Sequence, residues 1–342
     1  MTDRPMYQPP YTITPAIVNL VARISEAVGR LTAFTETAKT LRLRRINRVR
    51  TIRGSLAIEG NTLSEEQITA ILEGKRVIAP PREIQEVRNA IAAYDRFEKW
   101  RPDSKTDLQE AHRILMAGLI DGAGTYRRGG VGVMEGTQVI HVAPPADRIP
   151  ALMDNLFRWL AVSEEQSLIT SSVFHYEFEF IHPFADGNGR MGRLWQTLIL
   201  SIWNPLFADI PVESLIHEHQ QEYYAAINRS TEEADSSVFV EFMLKMIVDA
   251  VSSSVSTDQA CDQVTDQVTV LIEAMGWSER GRADLMRVLV LSHRPTFREN
   301  YINPALDGGW IERTQPESPR SPTQRYRLTE KGRRWLQQRK EE

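Results

Sequence analysis

Apolar residues recur at three- and four-residue spacing through most of the first 250 positions, which predicts a mainly helical protein. A Pro-rich extended arm of about a dozen residues leads in. Ile17, Leu20, Val21, Ile24 and Val28 then mark a first helix beginning near Pro15. A long basic helix is expected over 41–59, with Leu43, Ile46, Val49, Ile52 and Leu56 on or near one face and Gly60-Asn61 as its stop. Ser64-Glu-Glu-Gln67 reads as a capping box opening the next helix. Pro80-Pro81 breaks the chain before a helix over 82–100, and Thr106-Asp107 is the expected cap of another over 106–118. Residues 148–162 carry an apolar stripe of Ile149, Leu152, Met153, Leu156, Trp159 and Leu160. Residues 167–181 and 190–203 are apolar nearly all round, as central buried helices would be, and helices over 213–228 and 237–252 complete the core. One stretch departs from this pattern. Residues 122–145 are Gly-rich, then β-favouring at Thr137-Gln-Val-Ile-His-Val142, then Pro144-Pro145, which predicts a β-hairpin or flap.

The Ser/Thr/Asp-rich stretch after residue 252 predicts a linker over 253–265. The remaining residues, 266–342, read as a small separate module. It has two helices over 282–292 and 295–306, strands over 310–313 and 324–328 around a loop, and a last helix from Thr329. The expected organisation is therefore an N-terminal helical region (1–105), a helical core (106–252), the linker and the terminal module.

Composition adds limits. The chain is 42% hydrophobic and 25% charged, as soluble globular proteins are. A net charge of -4 argues against general nucleic-acid binding. From 280 to 342, however, 14 Lys/Arg stand against 8 Asp/Glu, a surplus of six that leaves -10 for the rest. A single cysteine, Cys261, excludes an intramolecular disulfide and a Cys-based zinc site. The first residues lack the apolar core of a signal peptide, and no apolar run approaches the roughly 20 residues of a membrane span. A cytoplasmic protein without membrane contact is expected.

The candidate chemistry lies between the two buried helices, in His182-Pro-Phe-Ala-Asp-Gly-Asn-Gly-Arg-Met-Gly-Arg193. Gly187 and Gly189 allow backbone N–H groups to converge on one point, and the following helix N-terminus adds partial positive charge. Arg190 and Arg193, three apart, are expected to face the same side. Together with Asn188 these residues predict a polyphosphate cradle. Asp186 is an anion beside an anion site, a conflict that Mg²⁺ resolves, since Mg²⁺ takes one or two carboxylates and bridges phosphates. His182, with a side-chain pKa near neutrality, is the natural general base, and Phe184 is expected to anchor the loop in the core.

This segment resembles the Fic family signature, His-Pro-Phe-x-(Asp/Glu)-Gly-Asn-Gly-Arg-x-x-Arg, at every specified position. The resemblance implies a mainly α Fic helical bundle with a β-hairpin flap. It implies transfer of AMP from ATP, with Mg²⁺, to a Ser, Thr or Tyr hydroxyl of a target protein or of the chain itself. By the same resemblance His182 deprotonates the hydroxyl, Asp186 holds Mg²⁺ on the α- and β-phosphates, and Gly187, Asn188 and Gly189 form the anion hole. Arg190 and Arg193 bind the β/γ end. Doc-type kinases carry a different loop, which favours AMP over phosphate transfer here. Tyr223 and Tyr224 fall where similar proteins line the base pocket, or are plain helix packing. Val139, Ile140, His141 and Val142 correspond to a flap that holds the target segment by strand addition. His141 there is a packing or flap residue.

Ser55-Leu-Ala-Ile-Glu59-Gly60-Asn61 matches the family's inhibitory pattern, (Ser/Thr)-x-x-x-Glu-(Gly/Asn). The resemblance implies that the helix over 41–60 is inhibitory, with Glu59 pairing with Arg193 and displacing the γ-phosphate. Some members also remove AMP with this glutamate. The terminal module resembles the winged-helix domains often appended to Fic proteins, which bind DNA or protein, or dimerise. The second reading is thus a DNA-binding regulator whose Fic domain senses nucleotide.

Overall fold

The computed structural model describes residues 7–34, 37–130, 132–135, 138–262, 266–291, 293–318, 321 and 323–341. The chain forms two compact units: 1–35 with 40–254, and 36–39 with 255–342.

The first unit is helical: α1 Pro15–Phe34, α2 Thr37–Ile58, α3 Glu65–Leu72, α4 Pro81–Arg96 and α5 Lys105–Leu115, then, after the hairpin, α6 Ile149–Val162, α7 Ser167–Ile181, α8 Asn188–Trp203, α9 Val212–Glu218, α10 Gln220–Glu233 and α11 Ser237–Asp262. The hairpin pairs β1 (Gly132–Glu135) antiparallel with β2 (Gln138–Val142). The side chains of Val139, Ile140, His141 and Val142 lie outside the described residues, as does all of Thr137. Helices α7 and α8 pack on each other at the centre, and α5 packs against α4 and α8. Their apolar sides meet in one core, where Phe174, Phe178, Phe184, Trp195 and Phe239 have no exposed surface.

Local signals explain most boundaries. Ser64 and Gln67 form the expected capping box of α3. The cap of α5 is Ser104, whose side chain accepts from Asp107 N, not Thr106-Asp107, so the helix starts one residue earlier. Gly60 adopts φ 88° and Asn61 N donates to Leu56 O, the bond pattern that closes a helix over a left-handed glycine. The stretch read as one helix over 213–228 is two, α9 and α10. Residues 253–262, expected as linker, belong to α11. No Gly or Pro interrupts them, and polar side chains do not end a helix that solvent can bathe. Residues 263–265 lie outside the described residues.

The second unit contains α12 Asp266–Met275, β3 Arg280–Gly281, α13 Arg282–Val288, α14 Arg294–Phe297, α15 Asn303–Asp307, β4 Ile311–Arg313, β5 Arg325–Leu328 and α16 Glu330–Glu341. Its strands form an antiparallel sheet in the order β3-β5-β4. Leu271, Ile272, Leu285, Phe297, Trp310 and Leu328 make a separate core. The helix expected over 295–306 is divided by a π-turn over Arg298–Ile302. Pro304 supplies no N–H to continue the regular ladder at that point.

Candidate active site

The long helix α7 ends at His182, which takes a left-handed conformation (φ 50°, ψ 60°) while its N–H still donates to Phe178 O. This reversal turns the chain out of the core at the histidine. Arg127, itself buried, holds the reversal in place. Its guanidinium donates to His182 O (2.7 Å), Gly129 O (2.7 Å), Pro144 O (2.6 Å) and Ile181 O (3.4 Å), and its own N–H to Pro183 O. The clamp therefore ties the histidine turn to the chain on either side of the hairpin.

Phe184 anchors the loop as expected, fully buried and stacked on His112 at 3.7 Å between ring centroids, 5° from parallel. His112 Nδ1 accepts from Gly124 N at 2.8 Å, so its proton resides on Nε2, which donates to Asp186 O at 2.9 Å. Burial pushes the His112 pKa down to about 4, so the ring is neutral. His112→Phe would keep the stack and lose both hydrogen bonds. It is expected to cost about 2 kcal/mol at pH 7. A neutral buried histidine contributes stability above its unfolded pKa, near 6.5, and loses it as pH falls toward about 4. The gap between wild type and His112→Phe should therefore shrink from pH 7 to pH 5. Urea unfolding at both values checks this; a constant gap would exclude a neutral His112.

Asn188 closes the loop on itself, accepting from Phe184 N and donating to Phe184 O, both at 2.9 Å. Its side chain is thus committed to loop shape, leaving its backbone N–H for an anion. Gly187 takes φ 84°, and a methyl group there would come within 2.5 Å of Met116 Sδ. Having no side chain, Gly187 also leaves the N-terminus of α8 without a side-chain cap.

The two arginines do not face the same partners. Arg190 Nη2 pairs with Asp186 Oδ1 at 3.0 Å, and its Nη1 lies 3.7 Å from Glu86 Oε1 on α4. Arg190 Nε and Nη1 are buried and make no hydrogen bond, Nη1 having only the longer ion pair with Glu86. Arg193, also buried, points toward α2. Its Nε donates to Ser55 Oγ (3.2 Å), and its Nη2 to Ser55 O (3.0 Å) and Glu59 Oε1 (2.7 Å). Burial pulls the Arg193 pKa down, but Glu59, Tyr223 and Glu179 together outweigh it and the net shift is upward. Glu59 lies directly over the start of α8, because a methyl group at Gly189 would come within 2.5 Å of Glu59 Oε1. A side chain at 189 would force this carboxylate to shift.

Behind Arg193 is a layer of buried polar groups. His175 Nδ1 donates to Gln196 Oε1 (2.6 Å) and its Nε2 accepts from the Tyr223 hydroxyl (3.1 Å). Burial pushes His175 down to about 3. Burial likewise pushes Glu179 up to about 8, although Arg193 opposes it. Tyr223 belongs to this layer. It is 1% exposed and packed against Phe239 and Phe242, so it is core and not the pocket wall that sequence position suggested. Tyr224 is half-buried, and Glu59 and Arg193 lie near enough to act on its hydroxyl.

Asp186 is half-buried, with Arg82 Nη2 3.4 Å from its Oδ2. Among the described residues no cluster of three or more His, Cys, Asp or Glu is arranged to hold a metal. A single open carboxylate beside an uncapped helix N-terminus fits a cation that brings most of its own ligands, as Mg²⁺ on a polyphosphate does.

The sequence matches the model of the Fic/DOC family over residues 102–200 and that of the Fic-like C-terminal domain ("Filamentation induced by cAMP protein Fic-like") over 266–329. A crystal structure of a Fic family protein from Desulfovibrio desulfuricans G20 is 60% identical, covering 95% of this chain and 99% of that one, with a TM-score of 0.71. The chain belongs to the Fic family. Fic-1 of C. elegans, 23% identical over 71% of this chain and 73% of that one, shares the Fic fold at a TM-score of 0.60. The curated relative named protein adenylyltransferase Fic from Culex quinquefasciatus is 31% identical over 208 residues, 55% of this chain and 38% of that one. Its counterpart from Nematostella vectensis is 29% identical over 205 residues, 56% and 45%. This Fic chain thus spans about two fifths of the length of the curated relatives it matches. No helix among the described residues is long and apolar enough to cross a membrane.

Sequence reasoning missed Arg127, His112, Arg82 and Glu86. Each acts through contacts 55 or more residues away in sequence, to His182, Asp186, Asp186 and Arg190 respectively. Only the four-residue Arg82–Glu86 spacing left a trace, and that spacing is common on solvated helices.

Proposed function

We propose that this Fic protein is an adenylyltransferase that moves AMP from ATP onto a Ser, Thr or Tyr hydroxyl of a target protein or of itself, held in check by Glu59. The observation that carries the reading is the pairing of an uncapped α8 N-terminus with a buried Arg190 guanidinium, two of whose nitrogens make no hydrogen bond, beside a histidine turn. Phosphate oxygens supply the missing acceptors. In the reaction the hydroxyl oxygen forms a bond to the α-phosphorus while the bond to pyrophosphate breaks. His182 takes the hydroxyl proton. The backbone N–H groups of Gly187, Asn188 and Gly189 and the Arg190 guanidinium bind phosphate oxygens, and Arg193 binds the γ-phosphate once Glu59 has left. Asp186 would hold Mg²⁺, which neutralises phosphate charge. Catalysis then rests on positioning and charge stabilisation. The hairpin, with Val139–Val142 as its second strand, holds the target by backbone pairing. Removal of AMP, with water forming the bond to phosphorus as the bond to the protein hydroxyl breaks, is the alternative use of the same site with Glu59 in place.

ATP labelled separately at the α- and γ-phosphates tests the reading. Label is expected on protein from the α-phosphate only. Transfer from the γ-phosphate alone would make the protein a kinase instead.

A second reading draws on the other unit. We read its order of helices with the β3-β5-β4 sheet as a winged helix. Arg294, Arg298 and Arg325 are exposed there, which suits phosphate contact. No protein labelling together with salt-sensitive, sequence-specific DNA binding would favour a DNA-binding regulator that senses nucleotide. Homodimerisation through this unit fits the same topology. We infer a cytoplasmic location from the single cysteine, which suits a reducing compartment.

A further inference from the structure

Helix α4 closes a ring of four alternating charges around the loop. Asp186 Oδ1 pairs with Arg190 Nη2 (3.0 Å), Arg190 Nη1 faces Glu86 Oε1 (3.7 Å), and Glu86 Oε1 faces Arg82 Nε (3.5 Å). Arg82 Nη2 returns to Asp186 Oδ2 (3.4 Å). The other oxygen of Glu86 accepts from Asn61 Nδ2 at 2.9 Å, so Glu86 is anchored independently of the ring.

The four members are unequally held. The Arg190 side chain is 4% exposed and Glu86 12%, whereas Asp186 is 38% and Arg82 62% exposed. The ring opens most easily at its most exposed edge, Arg82 to Asp186. A pair of that exposure is weak and salt-screened. Arg82, the more exposed of the two arginines, also has Glu86 to fall back on, four residues along its own helix.

We propose that Arg82 is a placeholder counter-ion for Asp186. It occupies the outer oxygen in the resting protein, competes there with the incoming divalent cation, and withdraws to Glu86 when the cation binds. Arg190, buried and already on the other oxygen, stays. Arg82 is thus a positioning residue whose effect is on metal affinity and not on the proton transfer. The inference rests on the adenylyltransferase reading only in taking a metal–nucleotide as the ligand of this loop.

The test is Mn²⁺ binding to the full chain with ADP, followed by the EPR signal of free Mn²⁺. ADP is chosen because it has no γ-phosphate to compete with Glu59. Arg82→Ala and Arg82→Gln are expected to tighten Mn²⁺ binding by up to about fivefold, the upper end of what an exposed ion pair contributes. Arg82→Lys should restore the wild-type value. The gain should shrink in 0.5 M KCl and vanish on an Asp186→Asn background. Unchanged or weaker Mn²⁺ affinity in both Arg82 variants, with ADP–Mn²⁺ still bound by wild type, would overturn the placeholder and leave the adenylyltransferase reading standing. No binding of ADP–Mn²⁺ by wild type would overturn both.

Discussion

Replacing Glu59 with glycine is expected to raise ATP-dependent self-labelling from the α-phosphate at least tenfold. The size follows from the contact. A charge-assisted hydrogen bond to an arginine contributes about 1.5–3 kcal/mol, or roughly tenfold to more than a hundredfold in occupancy. Glu59 meets Arg193 at 2.7 Å and lies against Gly189, where phosphate would have to enter. Removing the carboxylate leaves Arg193 still oriented by Ser55 Oγ and Ser55 O, so the arginine is freed without being lost. Glycine is also tolerated at a helix end already followed by a left-handed Gly60. Labelling is read by gel autoradiography at fixed ATP. Equal labelling of Glu59→Gly and wild type would remove Glu59 as the brake. Raised labelling with lower melting temperature would be ambiguous alone, so the same samples are compared by thermal unfolding.

The second large effect is at His182. In the Glu59→Gly background, His182→Ala is expected to lose about a hundredfold or more of AMP transfer, the scale of a removed general base. ADP binding should stay within about twofold, because the cradle is built from the α8 N-terminus and Arg190. The backbone at 182 constrains the choice of variant. With φ at 50°, alanine is strained there and asparagine is not. His182→Asn therefore separates loss of the base from loss of the turn, and it should be as inactive as His182→Ala. An asparagine variant with near-normal transfer would assign the proton to another group. The Arg127 clamp acts on the main-chain oxygen of residue 182, so neither substitution removes it.

Helix existence was legible wherever one apolar face repeats, as in α1 and α6, because burial of that face and the 3.6-residue turn are one physical fact. The divided helix near Pro304 and the extension of α11 were less so. A proline breaks a ladder in ways that depend on the neighbouring turns, and a polar run is equally compatible with a solvated helix and a loop. The candidate site divides the same way. His182, Gly187 and Gly189 are adjacent in sequence, and their local chemistry can be read there. The direction of a long side chain cannot. Arg190 and Arg193 share a helix turn, yet one serves Asp186 and the other Glu59, because α4 brings Glu86 to Arg190 while the end of α2 brings Glu59 to Arg193.

By itself, then, the sequence determined a helical protein with a glycine loop between two buried helices, a histidine at its entrance, and a glutamate at the end of a basic helix. These are properties of short-range spacing and composition. The family resemblance already implied that Glu59 meets Arg193; only the tertiary structure decided that Arg127 and His112 hold the histidine turn and loop, and that Tyr223 is core. It also decided that Arg82 and Glu86 complete a ring of charge around Asp186. Such contacts join residues 48 to 134 positions apart, between His175 and Tyr223 and between Glu59 and Arg193. Hydrogen bonds and ion pairs act over about 3–4 Å in space whatever the distance along the chain.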